Sequence, residues 1–497
     1  MCGIAGVFQR PSKQLVNEMV KNISHRGPDG QGIMEIKNAT LGHTRLAILD
    51  IEGGIQPMDY EDTSIVFNGE IYNYRKLKRK YLANLHVKTH SDTEVLIHLY
   101  RKFGPECVEL LDGMFAFAIY RRGDLFLARD PLGIKPLYYG QSRDGKKIAF
   151  ASEIKALMGH VEKIKEFPAG HWYHSRLGWH KYYELEETIR TFQGAEADAP
   201  QAIKSTLRKA VYKRLLADVP VGVSLSGGLD SSIVTTLARE ESEQLHSFAV
   251  GVEGSPDLAA ARQMSKHLDT IHHEYVYTTQ DMVGALPDVL YYLESFDPAL
   301  VRSAIPNYFL AKLASEHVKV ILTGEGADEV YAGYDYLAKY AAPEGLQEEM
   351  IYITEALHNT NLQRADRMSM AFGLEARVPF LDVESVSLAM GIPASWKLHA
   401  GRTPKALLRQ AFVEDLPGEI VNRPKAKFSK GAGSSELIAQ EAVEKITDAE
   451  FSSECERLRQ DWKYTLQNKE ALYYYRILRE FYDDQWILPT MGNSRSL

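Results

Sequence analysis

Apolar residues in the first part of the chain come in short runs separated by turn chemistry. Gly3–Phe8, Ala39–Ile48, Ile65–Phe67, Phe115–Tyr120, Asp124–Ala128, Leu137–Tyr139 and Ile148–Ala151 each carry the length and composition of a strand. Several of these neighbours are too close in sequence for a crossover helix, so the strands are expected to be mostly antiparallel. Helical spacing appears at Ser12–Ile23 and Thr93–Lys102, the second with Val95, Leu96, Leu99 and Tyr100 on one face. Periodicity then fails at Thr191–Pro200, TFQGAEADAP, which reads as a linker. Beyond it Ile203, Leu207, Val211 and Leu215 stand four apart on a helix, a core stripe rather than a cofactor box. Strands and helices then alternate: strand Val219–Leu225, helix Ser231–Arg239, strand Ser247–Val252, helix Leu258–Leu268 and strand His272–Val276. Strand Lys319–Leu322 and helix Asp328–Lys339 continue the series, and the rest reads mainly as helix. Alternation of this kind predicts a parallel sheet with helices on its faces. Two domains follow, 1–190 of mixed α and β with layered packing and 200–497 of parallel α/β type with a helical C-terminal part.

Composition narrows the function classes. The chain has 497 residues, 45% hydrophobic and 25% charged, with a formal net charge of −8, which gives no broad electrostatic footprint for nucleic acid. Its three cysteines, Cys2, Cys107 and Cys455, form no CxxC pair, so neither a disulfide framework nor a thiolate zinc site is expected. His272 and His273 read as strand residues, because no further His or Cys stands at zinc-site spacing. No run is long enough to span a bilayer, and the N-terminus lacks a basic lead, so the expectation is a cytoplasmic protein with no membrane partner.

Chemistry enters at three places. The segment VGVSLSGGLDSS, Val221–Ser232, sets Ser-Gly-Gly between a strand and a helix, where backbone N–H groups converge on an anion and the helix N-terminus adds partial positive charge. A bare SGG would be an ordinary turn with Ser231 or Ser232 as N-cap, but the full motif in a βαβ setting favours a phosphate cradle, and Asp230 stands where a phosphate-bound Mg²⁺ would need a carboxylate. It lacks the GKS/GKT of a Walker A loop. The second place is TGEGADE, Thr323–Glu329, again between a strand and a helix, with Glu325 between two glycines as a candidate general base or a solvated turn residue. The third is Cys2: if Met1 is removed, its thiol and a free α-amine lie on one residue, nucleophile and base together. Cys107 and Cys455 read instead as small apolar residues.

Together CGIAGVF, HRGPDG, RLAILD, NGEIYN, SDTEV, GMFAFAIY, RDPLGIKPLYY, EFPAG, SLSGGLDSS, SFAVG, GSPD, TGEGADEVYAGY and EARVPFLD resemble the glutamine-hydrolysing asparagine synthetase family, from Cys2 to about Gly433 and in the family's order. The resemblance implies an N-terminal-nucleophile αββα sandwich, a glutaminase domain, followed by an ATP-pyrophosphatase-type synthetase domain. It implies that aspartate is amidated to asparagine through β-aspartyl-AMP, with ammonia from glutamine and release of AMP and pyrophosphate. By the same resemblance Cys2 is the nucleophile, Asn68 and Gly69 the oxyanion hole, and Arg45, Glu70 and Asp92, with Asn68, the holders of glutamine. Leu225, Ser226, Gly227, Gly228, Asp230, Ser231, Ser232, Val250, Thr323 and Gly324 would bind ATP and pyrophosphate with Mg²⁺. Glu325 would be the base toward ammonia, Lys425 a cation for the phosphates, and Arg302 and Asp328 aspartate-site residues. Met114 and Val378 resemble the lining of an internal ammonia tunnel, positions that ordinary core packing explains equally well.

The sequence departs from the family in Thr323 and Ala327, where serines are common. A homodimer is an expectation from the resemblance. An alternative enzyme keeps both half-reactions but amidates another carboxylate; lactam-forming relatives are disfavoured because Cys2 and the glutamine clamp are intact. A regulatory module that has lost synthesis is disfavoured because Cys2, Asp230, Glu325 and Lys425 are all present.

Overall fold

The computed structural model describes residues 2–142, 144–145, 147–340, 343–398, 403–424, 431–433 and 435–492. The chain divides into two compact units, the first made of Met1–Thr188, Leu216–Pro220 and Met370–Glu375, the second of Ile189–Leu215, Val221–Ser369 and Ala376–Leu497.

Among the described residues of the first unit, twelve strands form two six-stranded sheets. They are β1 Gly3–Phe8, β2 Gly30–Ile36, β3 Ala39–Arg45, β4 Met58–Tyr60, β5 Thr63–Ile71, β6 Gly113–Arg121, β7 Asp124–Arg129, β8 Tyr138–Gln141, β9 Ile148–Ala151, β10 Lys163–Glu166, β11 His171–His174 and β12 Gly178–Lys181. The orders are β10-β8-β9-β1-β3-β2 and β12-β11-β7-β6-β5-β4, with neighbours antiparallel throughout. Alternation along the central strands fills a core on each face of the second sheet. Val66, Ala116, Ala118 and Leu127 pack with Ile4, Leu41 and Phe150 of the first sheet. Ile65, Phe67, Phe117 and Phe126 instead meet Val95, Leu96, Leu99 and Tyr100 of the helix Asp92–Phe103. The first sheet is covered by the helix Lys13–Asn22, whose Val16, Met19 and Val20 recur at helical spacing and whose N-cap Ser12 accepts from Leu15 N–H. The layers are therefore helix, sheet, sheet, helix, the αββα sandwich. Burying each such aliphatic or aromatic side chain is worth about 1.5–3 kcal/mol, which explains why β5 and β6, buried on both faces, are continuously apolar at their centres.

In the second unit β13 Val221–Ser224, β14 His246–Gly251, β15 Ile271–Val276, β16 Val320–Leu322 and β17 Glu375–Arg377 form one sheet in the order β15-β14-β13-β16-β17. The β13–β14, β14–β15 and β13–β16 pairs are parallel. Helices Leu229–Arg239 and Pro256–Leu268 make the crossovers. From β13 the chain winds outward through β14 and β15, then returns to the other side of β13 with β16. The strand order thus reverses between β13 and β16, and the loops leaving their carboxyl ends flank a switch point, where such sheets bind ligands.

Two expectations need correction. Asp328–Lys339 is not one helix: a short helix Ala327–Val330 is followed by a turn and a 3-10 segment Asp335–Lys339. Ala332 takes a φ of 51° and Gly333 N–H bonds Asp328 O at 2.8 Å, which closes the first turn and stops propagation. The second concerns the start of the helix after SGG. It was expected at Ser231 and begins two residues earlier, at Leu229, with Gly228 at the N-cap and no side-chain cap.

Candidate functional site

Cys2 stands at the head of β1, 9% exposed. Its N–H donates to Asn68 Oδ1 at 3.1 Å, its thiol to Leu46 O at 3.8 Å, and its carbonyl accepts from Arg26 Nε at 3.1 Å. Arg26 is fixed in turn by Glu153 at 2.6 Å. Burial pushes the Cys2 thiol up. Because the Asn68 oxygen is engaged, its NH₂ end is oriented, and Asn68 Nδ2 is buried with no hydrogen-bond partner. An unpaired buried donor is costly, so its persistence beside a cysteine marks a place for an acceptor.

Gly69 follows on the same strand. Its partner across the sheet, Phe115, spends its own N–H and C=O on Asp130, at 3.2 and 2.8 Å, so the Gly69–Phe115 pair is a non-hydrogen-bonded one. The N–H groups of Phe67, Gly69 and Ile71 therefore point away from β6. The first goes to Gln56 Oε1 at 2.6 Å and the third to Asp92 Oδ2 at 2.9 Å, with Gly69 N–H between them. A Cβ on Gly69 would stand 2.1 Å from Met114 O, which only glycine avoids.

Asp92 opens the helix capped by Ser91, and is buried. Burial pushes its carboxyl up to about 6 against the N–H bonds that favour the charged form, and the charge of Glu375 adds to the rise. Glu70 lies buried on β5. Arg45 at the end of β3 is held by two carbonyls, Ile51 O at 2.7 Å and Asp50 O at 2.9 Å, which brace the guanidinium against its loop. Met114 is buried on β6 opposite Glu70.

In the second unit the loop after β13 is shaped by its glycines. Gly227 has a φ of 65°, and a Cβ there would lie 2.4 Å from Ala260. Ser226 Oγ accepts from Gly228 N–H at 3.3 Å and lies 3.1 Å from Ser231 Oγ. Without a side-chain cap, the first-turn amides of Leu229–Arg239 are left for an anion. The loop after β16 comes close: a Cβ on Gly324 would be 2.9 Å from Asp230 Cβ. Leu225 and Val250 are buried at the ends of β13 and β14.

Lys405 joins the two loops. Its Nζ lies 2.6 Å from Asp230 Oδ2 and 2.6 Å from Asp328 Oδ1. Arg423 donates to Ser226 O at 3.2 Å and to Asp257 Oδ1 at 2.7 Å, adding a second cation beside the cradle. Neither was assigned from the sequence: Lys405 belongs to no motif, whereas Arg423 stands two residues before Lys425 and could have been found with it. Thr323 N–H bonds Arg377 O at 2.9 Å, and Glu325 is ion-paired with Arg364. Glu329 is buried, accepts from Tyr334 OH at 2.5 Å and Asn361 Nδ2 at 3.1 Å, and is raised by burial and by the neighbouring Asp328. Arg302, on helix Pro298–Ser315, is paired with Glu470, its Nε 2.8 Å from Glu470 Oε1. Val378 is buried just after β17. Lys425 lies outside the described residues.

Sequence comparison places these features among known proteins. Residues 1–194 match the family model of a glutamine amidotransferase domain, and residues 202–345 and 338–489 that of asparagine synthase. A probable glutamine-hydrolysing asparagine synthetase of Schizosaccharomyces pombe is 38% identical across 98% of this chain and 94% of its own. Asparagine synthetase 1 of Arabidopsis thaliana is 38% identical across 97% of this chain and 87% of its own. That of Sandersonia aurantiaca is 39% identical across 98% of each.

Proposed function

Since the chain belongs to the family of glutamine-hydrolysing asparagine synthetases, and so is an ATP-driven ligase that forms asparagine with nitrogen from glutamine, we propose that residues 1–190 release ammonia and residues 200–497 activate and amidate aspartate. The observation that carries the residue assignment is the buried, unpartnered Nδ2 of Asn68 beside Cys2.

With Met1 removed, the Cys2 α-amine takes the thiol proton and Sγ attacks the side-chain amide carbon of glutamine. Asn68 Nδ2 and Gly69 N–H receive the oxygen as it becomes negative. The proton passes to the leaving nitrogen, ammonia departs, and water hydrolyses the glutamyl thioester. Arg45 holds the α-carboxylate of glutamine, and Glu70 and Asp92 accept from its α-ammonium. Preorganised donors of this kind are typically worth about 10²–10³-fold in rate, so Asn68→Ala is expected to lower the glutaminase kcat by that factor with ammonia-dependent synthesis unchanged, measured as glutamate and asparagine release.

At the other site the amides and hydroxyls from Ser226 to Ser232 cradle the pyrophosphate, while Leu225, Val250, Thr323 and Gly324 frame the nucleotide. The β-carboxylate of aspartate attacks the α-phosphorus of ATP, pyrophosphate leaves, and β-aspartyl-AMP forms. Ammonia then attacks the acyl carbon, Glu325 takes its proton, and AMP departs. Arg302 and Asp328 are proposed on the aspartate side and Lys425 on the phosphates. Two carboxylates already sharing one cation, Asp230 and Asp328 around Lys405, are the oxygen donors that suit a nucleotide-bound Mg²⁺. Bound there through Asp230, the ion would neutralise phosphate charge.

The Asp92 carboxyl gives a pH signature. It must be ionised to hold an ammonium, and its raised value near 6 means protonation begins well above the ordinary carboxylate range. The KM for glutamine is therefore expected to climb as pH falls through about 6, by up to about tenfold per unit, which steady-state glutaminase assays between pH 5 and 8 would measure.

The overall test is mass spectrometry of a reaction with amide-¹⁵N glutamine, aspartate and Mg-ATP. Labelled asparagine in step with AMP and pyrophosphate is expected. Labelled ammonia without asparagine or AMP would move the search to another carboxylate acceptor.

A further inference from the structure

Three histidines distant in sequence meet in the second unit, where spacing along the chain gave no hint of it. His246 opens β14, His273 lies in β15, and His317 follows the last turn of helix Pro298–Ser315. Parallel register sets Phe248 against His273, so period-two alternation puts His246, Phe248 and His273 on one face of the sheet. His272 points to the opposite face, where it meets Ser247 Oγ at 2.8 Å and Glu274 at 3.0 Å. Helix Pro298–Ser315 packs on β14 and β15, with Phe309 stacked on Tyr275 and Tyr277, and so delivers His317 to the face that carries His273. His273 is a strand residue as expected, and the two histidines beside it in space stand at no zinc-site spacing in the sequence.

The cluster is tight. His246 Nδ1 lies 3.0 Å from His273 Nε2, and the rings of His273 and His317 stack with centroids 3.9 Å apart. One ligand nitrogen from each of the three lies within 4.8 Å of the others, and this is the one such group of potential metal ligands found among the described residues. Tetrahedral coordination at ~2.0–2.1 Å from each nitrogen needs nitrogens about 3.3–3.4 Å apart, a few tenths of an ångström more than the 3.0 Å between His246 and His273 and inside the 4.8 Å within which all three lie. All three side chains are partly open to solvent, which gives an ion a way in.

We propose that His246, His273 and His317 form a binding site for one divalent transition-metal ion of the Zn²⁺ class, held by three imidazole nitrogens with water completing the shell. Imidazole donors select this class over Mg²⁺ and Ca²⁺, which take oxygen. The site is separate from the nucleotide loops. His246 is level with Gly222 of β13, four residues or roughly 13 Å of strand before Ser226, and the loops leave the other ends of the strands. An ion there clips helix Pro298–Ser315 to β14 and β15, so its effect is on stability rather than on the chemical steps.

The test is a Zn²⁺ titration of the metal-stripped full chain against a chromophoric chelator, with wild type and His317→Ala compared and Mg²⁺ in excess throughout. His317 is exposed, so its replacement leaves the fold intact; His273→Gln gives a second, near-isosteric loss of one ligand. Wild type is expected to take up one equivalent more than either variant, or to bind that equivalent at least tenfold more tightly, and Zn²⁺ is expected to raise its melting temperature but not theirs. Zinc bound at Cys2 would be common to all three proteins and cancels. Equal uptake and equal affinity in wild type and variants would overturn the site, as would displacement of the extra equivalent by Mg²⁺.

Discussion

Cys2→Ala is expected to abolish asparagine formation from glutamine while leaving formation from ammonium salts at the wild-type rate. No neighbouring group can replace a nucleophile that forms a covalent bond to substrate, so the loss in glutaminase turnover should be roughly 10⁴-fold or more. The substitution is structurally mild. The thiol makes one long contact, to Leu46 O at 3.8 Å, while the Cys2 N–H and C=O that bond Asn68 and Arg26 belong to the backbone and survive. Every residue proposed for aspartate activation lies in the second unit, which has its own sheet and its own buried helices. Parallel assays with glutamine and with ammonium chloride, each scored for asparagine, AMP and glutamate, separate the two activities. Loss of both would overturn the division of labour.

What the sequence made legible follows from how local each signal is. Gly3–Phe8 and Ile148–Ala151 are strands over the expected residues, because continuous apolar runs between turns have no other way to be buried. Helix Tyr74–Tyr81 was not readable: YRKLKRKY is basic on most sides, and only Tyr74 and Leu77 enter the core, too few for a stripe. Strands β10, β11 and β12 were also missed, since four-residue segments such as KIKE and GWHK owe their pairing to neighbours already in the sheet rather than to their own propensity.

The candidate site divides in the same way. The strand segment around Asn68 and the loops around Gly227 and Gly324 were readable because close backbone approach demands glycine, and glycine leaves a mark in a motif. Glu375 was not assigned, although its charge reaches both Cys2 and Asp92, because the segment Met370–Glu375 joins the first unit from far along the chain. Lys405 and the three histidines were illegible for a related reason. Their meaning lies in what stands beside them in space, and no spacing in sequence records that.

Lys405 also decides how the second large effect should be read. Asp230→Asn keeps the shape of the side chain and an oxygen for Lys405, but removes the charge proposed to hold the phosphate-bound cation. Synthesis from glutamine and from ammonia should therefore fall together, by roughly 10²–10³-fold, with glutaminase turnover retained. Lys405→Met is the informative partner, because it leaves Asp230 and Asp328 facing one another without the ammonium that now lies 2.6 Å from each. Two carboxylates deprived of their shared cation repel, so this variant should lose both synthesis and some stability, whereas Asp230→Asn should lose synthesis alone. In the double variant the repulsion is gone, and its stability should recover toward that of Asp230→Asn, a non-additive result expected of groups in one network. Melting temperatures together with AMP release from both nitrogen donors measure each corner of the cycle. Synthesis within about threefold of wild type in Asp230→Asn would remove this carboxylate from the reacting site.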